Sequence, residues 1–215
     1  MTILDTVTQG GLAKTVLDHG GCLFPLIIPA DKTNGTGLMN PSIFWDGDRM
    51  LCNIRHVNYT LYHSENKRFQ HRYGPLQYLH PETDRHLRTW NYMTELGSNL
   101  MPQKIAQVDT SELDQEPIWE FVGLEDARVV RWDDRLYLTG VRRDTTTNGQ
   151  GRMELSEIVI DDQGVREIAR ERIPAPGANT SYCEKNWMPV LDQPYTYVKW
   201  TNPTEVVRYD PETKT

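Results

Sequence analysis

ARVVRWDDRLYLTGVRR, Ala127 to Arg143, decides the fold. A strand runs from Ala127 to Trp132, Asp133-Asp134 breaks it, and a second strand runs from Arg135 to Val141. Short strands on either side of an acidic turn specify a β-hairpin. The pattern recurs on both sides. Upstream, SIFWDGDRMLCNIRHV predicts a strand over Ser42 to Trp45, a turn at Asp46-Gly47-Asp48, and a strand over Arg49 to Val57. Downstream, NWMPVLDQPYTYVKWT places a turn at Asp192-Gln193-Pro194 and a strand over Tyr195 to Trp200. Each copy opens on a polar cluster: MNPS, LEDA and EKNW.

Recurrent hairpins are the mark of a repeat architecture. RMELSEIVID (Arg152 to Asp161), a turn at Asp162-Gln163-Gly164, and VREIARERI (Val165 to Ile173) add two strands to the central hairpin. Four antiparallel strands are the content of one propeller blade, although periodicity alone is equally compatible with a β-sandwich. The expectation is therefore an all-β chain with about three blades of a β-propeller over residues 39–215, preceded by a segment, 1–38, that packs on it. Three blades are too few to close a ring, which suggests an N-terminal part of a longer architecture whose open sheet edge would pair with another copy. The stretch from Ser64 to Asp84 reads as a functional loop or partly helical insertion.

Composition narrows the function. The 215 residues carry 30 acidic and 23 basic side chains, a net charge of −7. No basic block exists to meet nucleic-acid phosphates or an anionic membrane. The longest apolar run, CLFPLIIPA, is far below the ~20 residues that span a bilayer, and MTILDTVTQGGLAK has no signal-peptide pattern. Cys22, Cys52 and Cys183 are widely spaced and odd in number, which points to free thiols in a reducing cytoplasm. No cysteine or histidine spacing suggests a metal site.

If first strands line a channel, the polar openings converge there. Asn40, Glu125, Asp126, Arg128, Glu184, Lys185 and Asn186 would meet, joined by Arg55, Asn58 and Tyr59, and by Arg142, Arg143 and Asp144. Side-chain alternation lets only one of Glu125 and Asp126 face a common site, leaving the other to pair with a base. Ordinary turn and salt-bridge roles for this acidic pair are the competing reading. Among the aromatic residues, Trp187 beside Lys185-Asn186 is the candidate flat face for a ligand, with Tyr59, Trp90, Tyr92 and Trp200 behind it and core packing as the alternative for each.

GLEDARV resembles the Gly-x-Glu-Asp-Pro-Arg motif of glycoside hydrolase family 130, the β-mannoside phosphorylases and hydrolases, with Ala127 in place of the proline. MNPSIFWDGDRMLCNIR is similar to the family's Asn-Pro hairpin ending in arginine, and CEKNWMPV to its Lys-Asn/Asp stretch, in the same order. The resemblance implies a five-bladed β-propeller that transfers a glycosyl unit with inversion to phosphate or water. It implies Asp126 as general acid beside Glu125, with Asn40, Arg55, Asn58, Tyr59, Arg128, Asp144, Asn186 and Trp187 around the sugar. Arg142, Arg143 and Lys185 would bind inorganic phosphate as a co-substrate, with no other cofactor. A non-catalytic glycan-binding module and a related mannosyltransferase are the rival readings.

Overall fold

A computed structural model describes residues 11–23, 25–29, 31, 37–60, 77–78, 84, 86–177 and 181–215. The predicted hairpins are present. β1 (Gly37–Asp46) and β2 (Arg49–Val57) pair antiparallel. After the short pair β3 (Tyr59–Thr60) and β4 (Gln77–Tyr78), β5 (Leu87–Leu96) and β6 (Pro102–Asp109) extend them into a four-stranded antiparallel sheet. Most of the stretch from Ser64 to Asp84 lies outside the described residues.

β7 (Phe121–Val122) runs parallel to the start of β5 and leads into the second sheet. There β8 (Glu125–Trp132), β9 (Arg135–Arg142), β10 (Arg152–Asp161) and β11 (Gly164–Arg172) form another antiparallel meander. Asp133 and Asp134 both take positive φ, 47° and 62°, as a tight primed turn requires. The third sheet has three strands: β12 (Met188–Pro189), β13 (Thr196–Thr201) and β14 (Thr204–Arg208).

The outer strands β6 and β11 are joined by a short parallel bridge, Val108 to Val165 and Asp109 to Arg166. The first strands β1 and β8 also lie together, with Ser42 Oγ accepting the Val129 N–H at 3.1 Å. The eight-strand path is thus nearly closed on itself, barrel-like, with its ends in contact. Among the described residues the only helix is α1 (Gly11–Asp18), which buries no side chain. No helix among them is long and apolar enough to cross a membrane.

Two apolar layers hold the three sheets in sequence. Leu51, Met93 and Val108 of the first sheet meet Ala127, Val129, Leu138 and Ile158 of the second. Val130, Trp132, Tyr137 and Leu155, from the second sheet's other face, meet Trp187, Tyr197 and Tyr209. The first sheet's remaining face carries Cys52, Ile54, Tyr92 and Leu96, against which Leu26 and Ile28 of the N-terminal segment pack. The three cysteines are unpaired.

Candidate functional site

The polar openings share one backbone device. Asn40, Asp126 and Asn186 all have left-handed φ, 49°, 53° and 61°. Asn and Asp are the residues besides glycine that enter this region at low cost, because their short polar side chains bond locally. In each sheet, pairing with the second strand starts or resumes two residues later, at Ser42, Arg128 and Met188. The ladder is irregular between Met39 and Ser42 and again between Glu125 and Arg128, so the two bulges are equivalent.

This bulge overturns the alternation argument for the acidic pair. Both carboxylates reach one guanidinium: Arg55 Nη1 lies 2.5 Å from Asp126 Oδ1, and Nη2 lies 3.3 Å from Glu125 Oε2. A regular strand would send them to opposite faces, whereas the left-handed turn at Asp126 brings its side chain back beside Glu125. The Asn40 amide also donates to Asp126 Oδ1. Asp126 Oδ2 has no hydrogen-bond partner among the described residues.

Arg55 is itself fixed. Its Nη2 donates to Tyr59 Oη at 2.7 Å, and Nη2 and Nε both donate to Thr89 Oγ1, at 3.1 and 3.2 Å. Burial pushes the Tyr59 phenol up to about 12, so it stays neutral and accepts from the guanidinium. Behind Asp126, Asn53 Nδ2 donates to Asn91 Oδ1 and to the Ala127 carbonyl, while Asn91 Nδ2 donates to the Leu124 carbonyl. These two asparagines clamp the Leu124–Ala127 backbone, a role that sequence reasoning missed. The available signal was a polar residue inside each of two strands, RMLCNIRHV and LRTWNYMTEL.

Burial raises the Glu125 carboxyl above the usual carboxylate range, opposed by the charges of Arg55, Arg143 and Lys185. Arg143 and Lys185 therefore lie within electrostatic reach of the pair. The Arg143 guanidinium sits 5.5 Å from the Phe121 ring centroid and 3.1 Å from Cys183 Sγ. Beside them opens a cleft of about 680 Å³, lined by Arg128, Lys185, Asn186, Met188, Lys199 and Trp200 among others. Arg128 Nε is buried without a partner among the described residues. Asn40, Arg55, Tyr59, Glu125 and Asp126 thus form one bonded cluster, and Arg128, Lys185 and Asn186 share the adjoining cleft.

Three expected site residues stand elsewhere, and a fourth, Trp187, is packed beneath the cleft. Arg142 is buried, bonded through Nε to Glu154 Oε1 at 2.5 Å and through Nη1 to Asp144 Oδ2 at 3.3 Å. Asp144 Oδ2 also accepts the Gly123 N–H. This internal network occupies both side chains, so neither stands with the acidic pair. Asn58 bridges backbone to backbone, donating to the His86 carbonyl and accepting the Arg88 N–H. Trp187 is 2% exposed, with its Nε1–H on Glu184 Oε2 and its ring edge-on to Tyr197. Its burial is worth ~4–6 kcal/mol, from ~150–250 Å² of ring surface, against ~0.5–1.5 kcal/mol for a ring-face contact. It is held in the core yet forms part of the cleft wall, and Trp200, 63% exposed, presents the more open aromatic face there.

No group of His, Cys, Asp and Glu among the described residues could hold a metal ion. Neither a family model, nor a curated protein, nor a solved structure matches the chain.

Proposed function

We propose that the chain is a carbohydrate-active protein of β-propeller type, which holds a glycoside where β1, β8 and β12 begin and transfers its glycosyl unit with inversion. The meeting of Asn40, Arg55 and Asp126 carries this reading. They come from two separated motifs of the family 130 pattern, 86 and 71 residues apart in sequence, yet they share one carboxylate oxygen. Successive antiparallel sheets stacked face to face, with their first strands side by side, fit propeller blades.

In this reading Asp126 is the acid. Its Oδ1 is committed to Asn40 and Arg55, leaving Oδ2 to deliver a proton to the departing sugar oxygen. Glu125, whose buried carboxyl keeps its proton to higher pH than usual, lies beside it on the same guanidinium. Two carboxyls on one guanidinium cannot flank a glycosidic bond at the ~6.5–9.5 Å separation that places a water between acid and base. Phosphate needs no such base, and Arg128, Arg143 and Lys185 supply positive charge for it. The favoured acceptor is therefore phosphate, with a mannoside as donor.

The test is a panel of β-mannosides incubated with and without inorganic phosphate, read by release of sugar 1-phosphate. Phosphate-dependent turnover that disappears in Asp126→Asn supports the proposal. Binding of a glycoside with no turnover in either condition supports instead a glycan-binding module, a reading favoured by the double engagement of Asp126 Oδ1. Neither binding nor turnover across the panel rejects the carbohydrate assignment.

A further inference from the structure

A second cleft opens between the first and second sheets. Its walls come from β5, β9, β11 and the connection from β6 to β7, and none of Asn40, Arg55, Tyr59, Glu125 and Asp126 lines it. The mouth encloses about 400 Å³ and continues past Arg88, Val122 and Arg142 into a recess of about 70 Å³ beside Trp90, Leu138 and Ser156. A volume of this size suits a small organic molecule rather than a single water.

The cations in its wall are already committed. Arg88 donates to Asp84, Arg142 to Glu154 and Arg170 to Glu167, and none of these three carboxylates lines the mouth. The acids that do line it are Asp114, Glu116 and Asp144. Even with Arg172, which donates to the Thr145 hydroxyl, six carboxylates meet four guanidiniums. Burial raises the Glu154 carboxyl above its ordinary range, and the negative excess stands with Glu154 neutral.

Asp144 marks where the charge is unmet. It is 8% exposed, and its Oδ2 accepts the Gly123 N–H at 2.8 Å and an Arg142 N–H at 3.3 Å. Its Oδ1 is buried with no partner among the described residues. A buried carboxylate oxygen costs free energy until a donor reaches it. Glu116, exposed at the rim, has no hydrogen bond or ion pair to the described residues. Leu113, Pro117, Ile118 and Val122 give the same cleft an apolar wall, and Ile118 is 54% exposed.

We propose that this cleft binds a small primary amine, its ammonium donating to Asp144 Oδ1 and its apolar body lying on Leu113, Ile118 and Val122. The ligand class follows from the lining. A neutral molecule leaves the excess charge unmatched, an anion adds to it, and a quaternary ammonium has no N–H for Oδ1. A metal ion is too small to fill the volume, and no set of ligands for one stands among the described residues.

Calorimetric titration of the intact chain with hexylammonium tests this, with hexanol, hexanoate and hexyltrimethylammonium as matched controls. Hexylammonium should bind with a Kd of ~1 mM or tighter. Each control should bind at least about tenfold more weakly, the scale of a charge-assisted hydrogen bond. Asp144→Asn should weaken hexylammonium about tenfold or more, because the amide keeps an acceptor for Gly123 but turns its N–H groups toward the ammonium. Glu116→Gln removes no hydrogen bond and should weaken it about threefold, the scale of an exposed charge pair. Thermal melting certifies each variant's fold, and Glu116→Gln decides the test if Asp144→Asn does not fold. Absence of binding at about 20 mM overturns the proposal. So does any control that binds as tightly as hexylammonium, or an affinity unmoved by the folded variants. The readout is binding alone, so the outcome of the mannoside panel does not bear on it.

Discussion

Replacing Arg55 by methionine removes the one cation bonded to both carboxyls of the cluster. The guanidinium is buried and makes five hydrogen bonds, to Asp126, Glu125, Tyr59 and twice to Thr89. Methionine fills much of the same volume, so the loss is electrostatic more than steric. Stripping one partner from a buried ion pair costs ~3–5 kcal/mol, because the remaining charge stays desolvated. For a chain of this size each kcal/mol shifts Tm by ~2–4 °C, so Arg55→Met should melt ~6–20 °C below the parent. The deficit should also depend on pH. Glu125 has a folded pKa above its ordinary 4.5 because of burial, so its contribution to stability is present below that value and lost as pH rises through the folded one. Without Arg55 the folded value climbs further, so the deficit should be small near pH 4 and largest at neutrality. Adding Glu125→Gln to the variant removes the stranded charge and should return about half the loss at pH 7. Urea midpoints for the parent, each single variant and the double variant at both pH values provide the assay. A deficit below ~1 kcal/mol, or one indifferent to both pH and Glu125→Gln, would refute the claim that Arg55 holds the acidic pair.

His56 offers an independent pH test. It is buried against Trp90 and Tyr92, neither ring nitrogen has a partner among the described residues, and burial lowers its pKa from 6.5 to about 4. Protonation then favours the unfolded chain, so stability should fall as pH drops from about 6.5 toward 4, by up to ~3 kcal/mol; in His56→Leu that part of the slope should vanish from the urea midpoints. At Asn186, with φ 61°, alanine should cost ~1–2 kcal/mol and glycine should be neutral or better, measured by thermal unfolding. Equal effects of the two substitutions would remove backbone conformation as the reason for that asparagine.

The hairpins were legible because alternation and turn chemistry agree locally. β2 runs from Arg49 to Val57 and β10 from Arg152 to Asp161, as their sequences predict. β5 was harder to read. LRTWNYMTEL buries Thr89, Asn91 and Thr94 as well as its apolar residues, so a polar sequence hides a central strand. The site was legible in its cluster and illegible in its directions. Arg142 and Arg143 are adjacent, and only the ladder shows that the first turns to Glu154 while the second turns to Phe121 and Cys183. Trp187 follows Lys185-Asn186 closely enough to suggest a shared surface, and all three line the cleft, but only the structure shows that the ring is otherwise buried in the core.

That backbone device also explains why residue type alone could not separate structure from chemistry. A strand entrance that demands positive φ selects Asn or Asp whatever the site does, so Asn40 and Asn186 need no ligand to account for them. Asp126 is different. Asparagine would serve its backbone equally well, and the charge is instead matched by Arg55, which the fold buries and fixes at five hydrogen bonds. A buried cation of this kind gains little net stability over apolar side chains of similar size. Asp126→Asn therefore isolates the carboxyl group: the left-handed turn and the Arg55 contact to the amide oxygen persist, while the ionisable oxygen is gone. Glycoside turnover should disappear with affinity held within about tenfold, ~1.4 kcal/mol, in paired kinetic and calorimetric titrations. If turnover survives, the carboxylate serves only to anchor Arg55, and the acid must be sought at Glu125.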